Sequence, residues 1–113
     1  MVPLSFAWTG AMFVLGTGAD SRTALNATAQ PWVRLGIGAV RDVVLVHGTA
    51  SVVSMSSVDP GEADLFAERA GFDPRELSAP YAYVRVTPRR IQAWREENEL
   101  ADREIMRDGR WLA

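Results

Sequence analysis

Apolar positions alternate with small or polar ones over Leu4-Ser5-Phe6-Ala7-Trp8, the period of a strand with one buried face. Thr9-Gly10 follows as a two-residue turn, and Ala11 to Leu15 returns as a more continuously apolar strand, so the two predict a hairpin. Gly16 and Gly18 then turn the chain into a short helix over Ser21 to Gln30, capped by Asp20 or Ser21 and ended by Pro31. Its apolar face, Ala24, Leu25, Ala27 and Ala29, is thin. Such a helix needs a larger body to lie on.

Trp32 to Gly38 alternates again, with Val33, Leu35 and Ile37 on one face and Trp32, Arg34 and Gly36 on the other. Val40-Arg41-Asp42 connects it to the longest apolar run, Val43 to Val53, whose β-branched residues favour a strand. Gly48 marks a bulge or bend in that run, as a small barrel needs to turn a corner. Beyond a loop over Ser54 to Val58, Asp59-Pro60-Gly61-Glu62 supplies a cap, a proline at the first helical position and an early acidic residue. The apolar set Ala63, Leu65, Phe66, Ala67 and Ala70 continues that helix to Gly71, with Phe72 placed to fold back on it. Asp73-Pro74-Arg75-Glu76 repeats the start signal for one turn.

Tyr81 to Val86 alternates cleanly, Pro88 interrupts, and Arg89 to Arg95 reads as a sixth strand carrying Trp94. The tail from Glu96 to Ala113 is charged and ends in Gly109-Arg110-Trp111-Leu112, whose tryptophan is expected to dock. These elements predict a mainly β fold of about six mostly antiparallel strands with two short helices, closed or partly closed as a small barrel.

The length, 113 residues, fits a single domain, 1–113, and 48% hydrophobic with 23% charged residues is the composition of a globular one. A net charge of -2 gives no global attraction to nucleic acid or anionic membrane. With no cysteine and one histidine, His47, neither a disulfide framework nor a zinc constellation is expected. His47 itself reads more simply as a cross-strand or interface residue than as a catalytic base. All 12 basic residues are arginine, which excludes lysine Schiff-base chemistry. The N-terminus has neither the basic start nor the apolar length of a signal peptide, and no run approaches a membrane span, so a cytoplasmic location is expected.

Candidate chemistry centres on Gly16-Thr17-Gly18-Ala19-Asp20-Ser21-Arg22-Thr23-Ala24-Leu25-Asn26. A helix start offers free N–H groups and the positive end of the macrodipole to an anion, and Arg22 adds a fixed charge. The same residues also serve as a plain turn and cap. Gly16-x-Gly18-x-x-Ser21, with Asp42 further on, nearly matches a dinucleotide fingerprint, but the third glycine and the repeated βαβ units are missing. No Walker loop, Gly-x-Ser-x-Gly or paired nucleophile exists, and Glu96, Glu97 and Glu99 read as a solvated charge run. Arg85, Arg89, Arg90 and Arg95, interleaved with Tyr81, Tyr83 and Trp94, form a remote alternative as a single-stranded nucleic-acid platform, opposed by the acidic residues beside them. An anion-binding turn beside a strand-rich, aromatic wall suits a phosphate-bearing planar cofactor whose own ring does the chemistry.

Asp20-Ser21-Arg22-Thr23-Ala24-Leu25-Asn26, then Gln30-Pro31-Trp32-Val33-Arg34-Leu35, and finally Arg89-Arg90-Ile91-Gln92-Ala93-Trp94-Arg95 resemble the flavin-binding split barrels of the pyridoxamine 5′-phosphate oxidase-like superfamily. The resemblance implies a homodimer with FMN or the deazaflavin coenzyme F-420 in a groove between subunits, and hydride transfer to or from a small organic substrate. In the oxidase a turn threonine and a Ser-Arg-Lys run hold the phosphate. The matching positions here are Thr17 and Ser21-Arg22-Thr23, so a threonine replaces the lysine and one charge is lost. The resemblance further implies that Leu4 and Phe6 line the ring, and that Trp94 and a tail arginine, Arg103 or Arg107, approach it. Relatives carry a helix and another strand before the segment matching Val2-Pro3-Leu4; a non-catalytic flavin or planar-ligand binder of the same fold is the alternative.

Overall fold

The computed structural model describes residues 3–39, 42–94 and 104–112. The chain runs through β1 (Phe6–Trp8), β2 (Phe13–Gly18), α1 (Arg22–Ala29), β3 (Trp32–Ala39), β4 (Asp42–Ser54), α2 (Pro60–Ala70), a single 3-10 turn (Pro74–Glu76), β5 (Tyr81–Trp94), β6 (Glu104–Arg107) and β7 (Arg110–Trp111). All strand pairs among them are antiparallel. The sheet follows the path β1-β2-β5-β4-β3, and β6 joins β5 and carries β7. It is a small, mainly β barrel-like fold with two short helices. β1 and β3 end the path and do not pair with each other, so the wall is split there.

The β-branched run over Val43 to Val53 does form the long strand expected of it, and Gly48 does mark a bulge. His47 pairs with Arg90 but Gly48 with Pro88, so Arg89 is the extra residue. This resolves one sequence expectation differently: Pro88 does not separate two strands. β5 is continuous through it, because the irregularity lies where proline has no N–H to give to the ladder. A Cβ on Gly48 would lie 2.5 Å from the Thr87 carbonyl oxygen, so the close approach of the two backbones requires glycine.

Three other boundaries differ. The first hairpin turns through Thr9–Met12 rather than two residues, since Thr9 Oγ1 accepts the N–H groups of Ala11 (3.2 Å) and Met12 (3.1 Å) while Gly10 takes φ 99°. β2 extends through both glycines to Gly18, leaving Ala19 and Asp20 as the turn. The tail contains a short hairpin, β6–β7, whose turn at Asp108-Gly109 has both residues at positive φ. Its Trp111 docks edge-on against Trp8, with ring centroids 6.3 Å apart. The acidic run at 96–99 lies outside the described residues.

Alternation sorts the side chains into two apolar groups. Phe13, Leu15, Val46, Val84, Val86, Ile91 and Met106 face inward, joined by Ala27 of α1 and half-buried Val33, Leu35 and Ile37 of β3. Val14 and Tyr83 face outward and are covered by Ala63 and Phe66 of α2. Phe66 is fully buried and meets both Tyr83 and Phe72 edge-on at 5.6 Å, so Phe72 does fold back on its helix after Gly71 at φ 84°. Glu62 of α2 also binds Arg85 of β5 through two bonds of 2.8 and 3.1 Å. No helix among the described residues is long and apolar enough to cross a membrane.

Gly48→Ala is expected to destabilise the fold by about 1 to 3 kcal/mol, the usual cost of overpacking, because the clash is with backbone rather than a mobile side chain. Urea unfolding monitored by tryptophan fluorescence measures it.

Candidate functional site

Because the barrel is split between β1 and β3, an open groove remains there, of about 990 Å³. Pro3, Leu4 and Phe6 form one side, and residues 32–38 of β3 form the other. Leu15, Val84 and Val86 lie at the bottom. α1 closes one end with Arg22, Thr23, Asn26, Ala27 and Gln30. The groove is therefore apolar along its length and polar at the α1 end. That gradient suits a ligand with a flat apolar body and a polar or anionic arm.

The α1 end is built by its cap. Ser21 Oγ accepts the Ala24 N–H at 3.1 Å and shares a 2.9 Å hydrogen bond with Thr17 Oγ1 of β2. Thr17 is buried, so its hydroxyl needs that partner. Among the described residues no acceptor meets the amides of Arg22 and Thr23, which keep the anion-attracting character of a helix start. Arg22 is exposed and takes part in no ion pair among the described residues.

Of the residues singled out from sequence, Leu4, Phe6, Arg22 and Thr23 meet at this groove. Thr17 and Ser21 stand directly behind it, bonded to each other, and do not line it. Trp94 ends β5 opposite Val43, which in turn faces Gly38 of the groove wall. Arg103 lies outside the described residues, whereas Arg107 of β6 is bound to Glu104. Gly16 has a structural explanation: its Cβ would lie 2.7 Å from Phe66 Cζ and 2.8 Å from Tyr81 Cε1, so aromatic packing demands the glycine. Sequence reasoning did not single out Gln30, which lines the groove four residues beyond Asn26 and therefore on the same face of the α1 end.

The chain is similar to a solved structure named F420 Reductase, with 20% identity, coverage of 76% of this chain and 72% of that chain, and a TM-score of 0.57. At that identity the likeness is one of fold. No protein-family model and no curated protein matches the chain.

The ionisable groups of the groove lining are the guanidiniums of Arg22 and Arg34. Among the described residues lining it, none is acidic and none is histidine, tyrosine or cysteine. On the outer side of the sheet, burial together with the Arg34 and Arg90 guanidiniums holds the His47 imidazole below its usual value. Hydrogen bonds from Arg90 and Arg107 lower the Glu104 carboxyl, and that from Arg75 lowers Asp73. Burial raises Tyr83, and no hydrogen-bond partner meets its buried hydroxyl among the described residues.

Ser21→Ala is expected to cost about 1 to 3 kcal/mol, since it removes the cap and strands the Thr17 hydroxyl. Adding Thr17→Val should restore part of that loss, which a comparison of chemical denaturation midpoints will reveal. His47 produces a pH dependence of definite sign. Its unfolded value is 6.5 and its folded value is lower, so stability is complete above 6.5 and falls as pH drops from there through the folded value. Urea midpoints across this range should decline in the native protein and stay level in His47→Gln.

Proposed function

We propose that the protein is an oxidoreductase that binds a flavin-type cofactor, FMN or the deazaflavin F-420, in the β1–β3 groove. The observation that carries this reading is the groove itself: an apolar slot of about 990 Å³ ending at the exposed start of α1 with Arg22 and Thr23. Its size admits a tricyclic ring with a phosphate-bearing tail. The fold it shares with an F420 Reductase supports the deazaflavin form of the reading. So does Thr23 at the position where the FMN-dependent oxidase resembled in sequence has a lysine.

In this reading Arg22 and the free amides of Arg22 and Thr23 bind the phosphate, and Leu4 and Phe6 cover the ring. Thr17 and Ser21 act as positioning residues that hold the helix start in place. The bound cofactor supplies hydride transfer; the chain supplies orientation and exclusion of water. A homodimer, with a second copy covering the groove, accords with the free edges of β1 and β3 and with Trp32, which is 67% exposed. The substrate is then a small organic molecule admitted over the ring, and the cytoplasm is the proposed location.

One observation favours a second reading, a binder of flavin or another planar ligand without turnover. No described lining residue is an acid, histidine, tyrosine or cysteine that would serve as a proton donor or acceptor at neutral pH. Hydride transfer without a protein acid remains compatible with the same lining, so turnover separates the two. Oxidation of reduced F-420 by an artificial hydride acceptor, faster with protein than without, supports the enzyme; tight binding with no acceleration supports the binder.

Titration with FMN and with F-420, followed by visible absorption and fluorescence, tests the groove directly. Arg22→Ala should weaken the bound cofactor by about 1.5 to 3 kcal/mol, the value of a charged hydrogen bond. Unchanged affinity in that variant removes Arg22 from the site, and no uptake of either cofactor removes the reading. Light scattering measures the dimer independently.

A further inference from the structure

The register of β3, β4 and β5 places Arg34 opposite His47, and His47 opposite Arg90. Directly opposed residues share one face of a sheet, with Cβ atoms roughly 4.5 to 5.5 Å apart. Three cationic or protonatable side chains thus stand in one row. The row faces away from the core, since the neighbouring positions Leu35, Val46 and Ile91 all point inward. It is also separate from the outer patch that α2 covers around Tyr83.

Like charges set side by side destabilise a sheet unless other charges balance them. Arg90 is balanced: its Nε donates to Glu104 Oε2 at 2.8 Å, and the same carboxylate holds Arg107. Arg34 is exposed and has no ion pair among the described residues. Beside it on the same face of β3 stand Trp32, an exposed ring, and Gly36, a position with no side chain. A Cβ placed on Gly36 would meet nothing nearer than Leu45 Cδ2 at 3.9 Å, so the floor next to Arg34 is open.

We propose that Arg34 and His47, backed by Arg90, form a binding site for a tetrahedral oxyanion, the charge class of a phosphomonoester, and that occupancy is coupled to protonation of His47. The guanidinium of Arg34 presents two parallel N–H donors to such an anion, and the imidazolium presents a third. In the free protein the flanking guanidiniums oppose a charge on His47; an anion between them reverses the local field and draws a proton onto the ring. Arg34 faces His47 from β3 and Arg90 from β5, while Glu104 of β6 reaches the row through Arg90. Arg34 also borders the β1–β3 groove, whereas His47 and Arg90 do not, so a cofactor in that groove and an anion on the row would share Arg34 alone.

His47 is the one histidine of the chain, so a single imidazole resonance reports on it in a proton NMR titration. Sulfate is the probe, because its charge stays constant across the range in which histidine titrates. Added sulfate should raise the His47 midpoint beyond the rise given by sodium chloride at equal ionic strength. If the protonated form binds tenfold more tightly, saturation shifts the midpoint by about one pH unit. Arg34→Gln should raise the midpoint in the absence of sulfate, by removing one opposing charge, and should abolish most of the sulfate-specific shift. Equal shifts by sulfate and chloride would overturn the proposal, as would a sulfate shift undiminished in Arg34→Gln. The variant's unfolding midpoint confirms that its fold is intact.

Discussion

The pairing of β4 with β5, bent where Gly48 meets Thr87 and Pro88, organises the whole sheet. These are the two longest strands, and every other strand except β1 and β7 pairs with one of them. β2 takes the first half of β5 and β6 the second, while β3 follows the far side of β4. The bulge adds Arg89 on one strand only, which increases local twist and bends the pair. A flat ladder would expose both apolar faces; a bent one folds its inner face toward itself.

The two faces are then finished by different means. On the outer side α2 covers the Val14 and Tyr83 region with Phe66, leaving the Arg34, His47 and Arg90 row beyond its reach. On the inner side α1 contributes only Ala24 and Ala27 as buried residues, too little volume to fill the space between β1 and β3. The groove follows from that shortage. A helix built on small side chains blocks one end of the barrel and leaves its length open.

The cap of α1 ties stability to the site. Ser21 bonds to the helix and to buried Thr17 of β2, so the helix start is anchored to the sheet rather than free to fray. An anchored start keeps its remaining amides in a set position, which would lower the ordering cost of binding an anion there. The functional reading therefore relies on a hydrogen-bond pair that never touches the groove.

Strand and helix identities were legible from the chain because they depend on local pattern: alternation over Trp32 to Gly38, β-branched residues over Val43 to Val53, and Asp59-Pro60 ahead of an apolar helical face. The anion-prone start of α1 was legible for the same reason, since its cap is a local arrangement. Pro88 misled because a proline breaks a strand unless a partner supplies a bulge, and that partner, Gly48, lies 40 residues earlier. Gly16 read as part of a phosphate turn, whereas the rings of Phe66 and Tyr81 demand it from elsewhere in the fold. The sequence by itself determined most of the strand segments, though not the β6–β7 hairpin of the tail or the continuity of β5 through Pro88, and it determined where the helices begin and which face of each is apolar. Only the tertiary structure decided that Leu4 and Phe6 lie across a groove from β3, and that Arg34, His47 and Arg90 share a row, because strand register joins residues far apart in the chain through contacts no local pattern records.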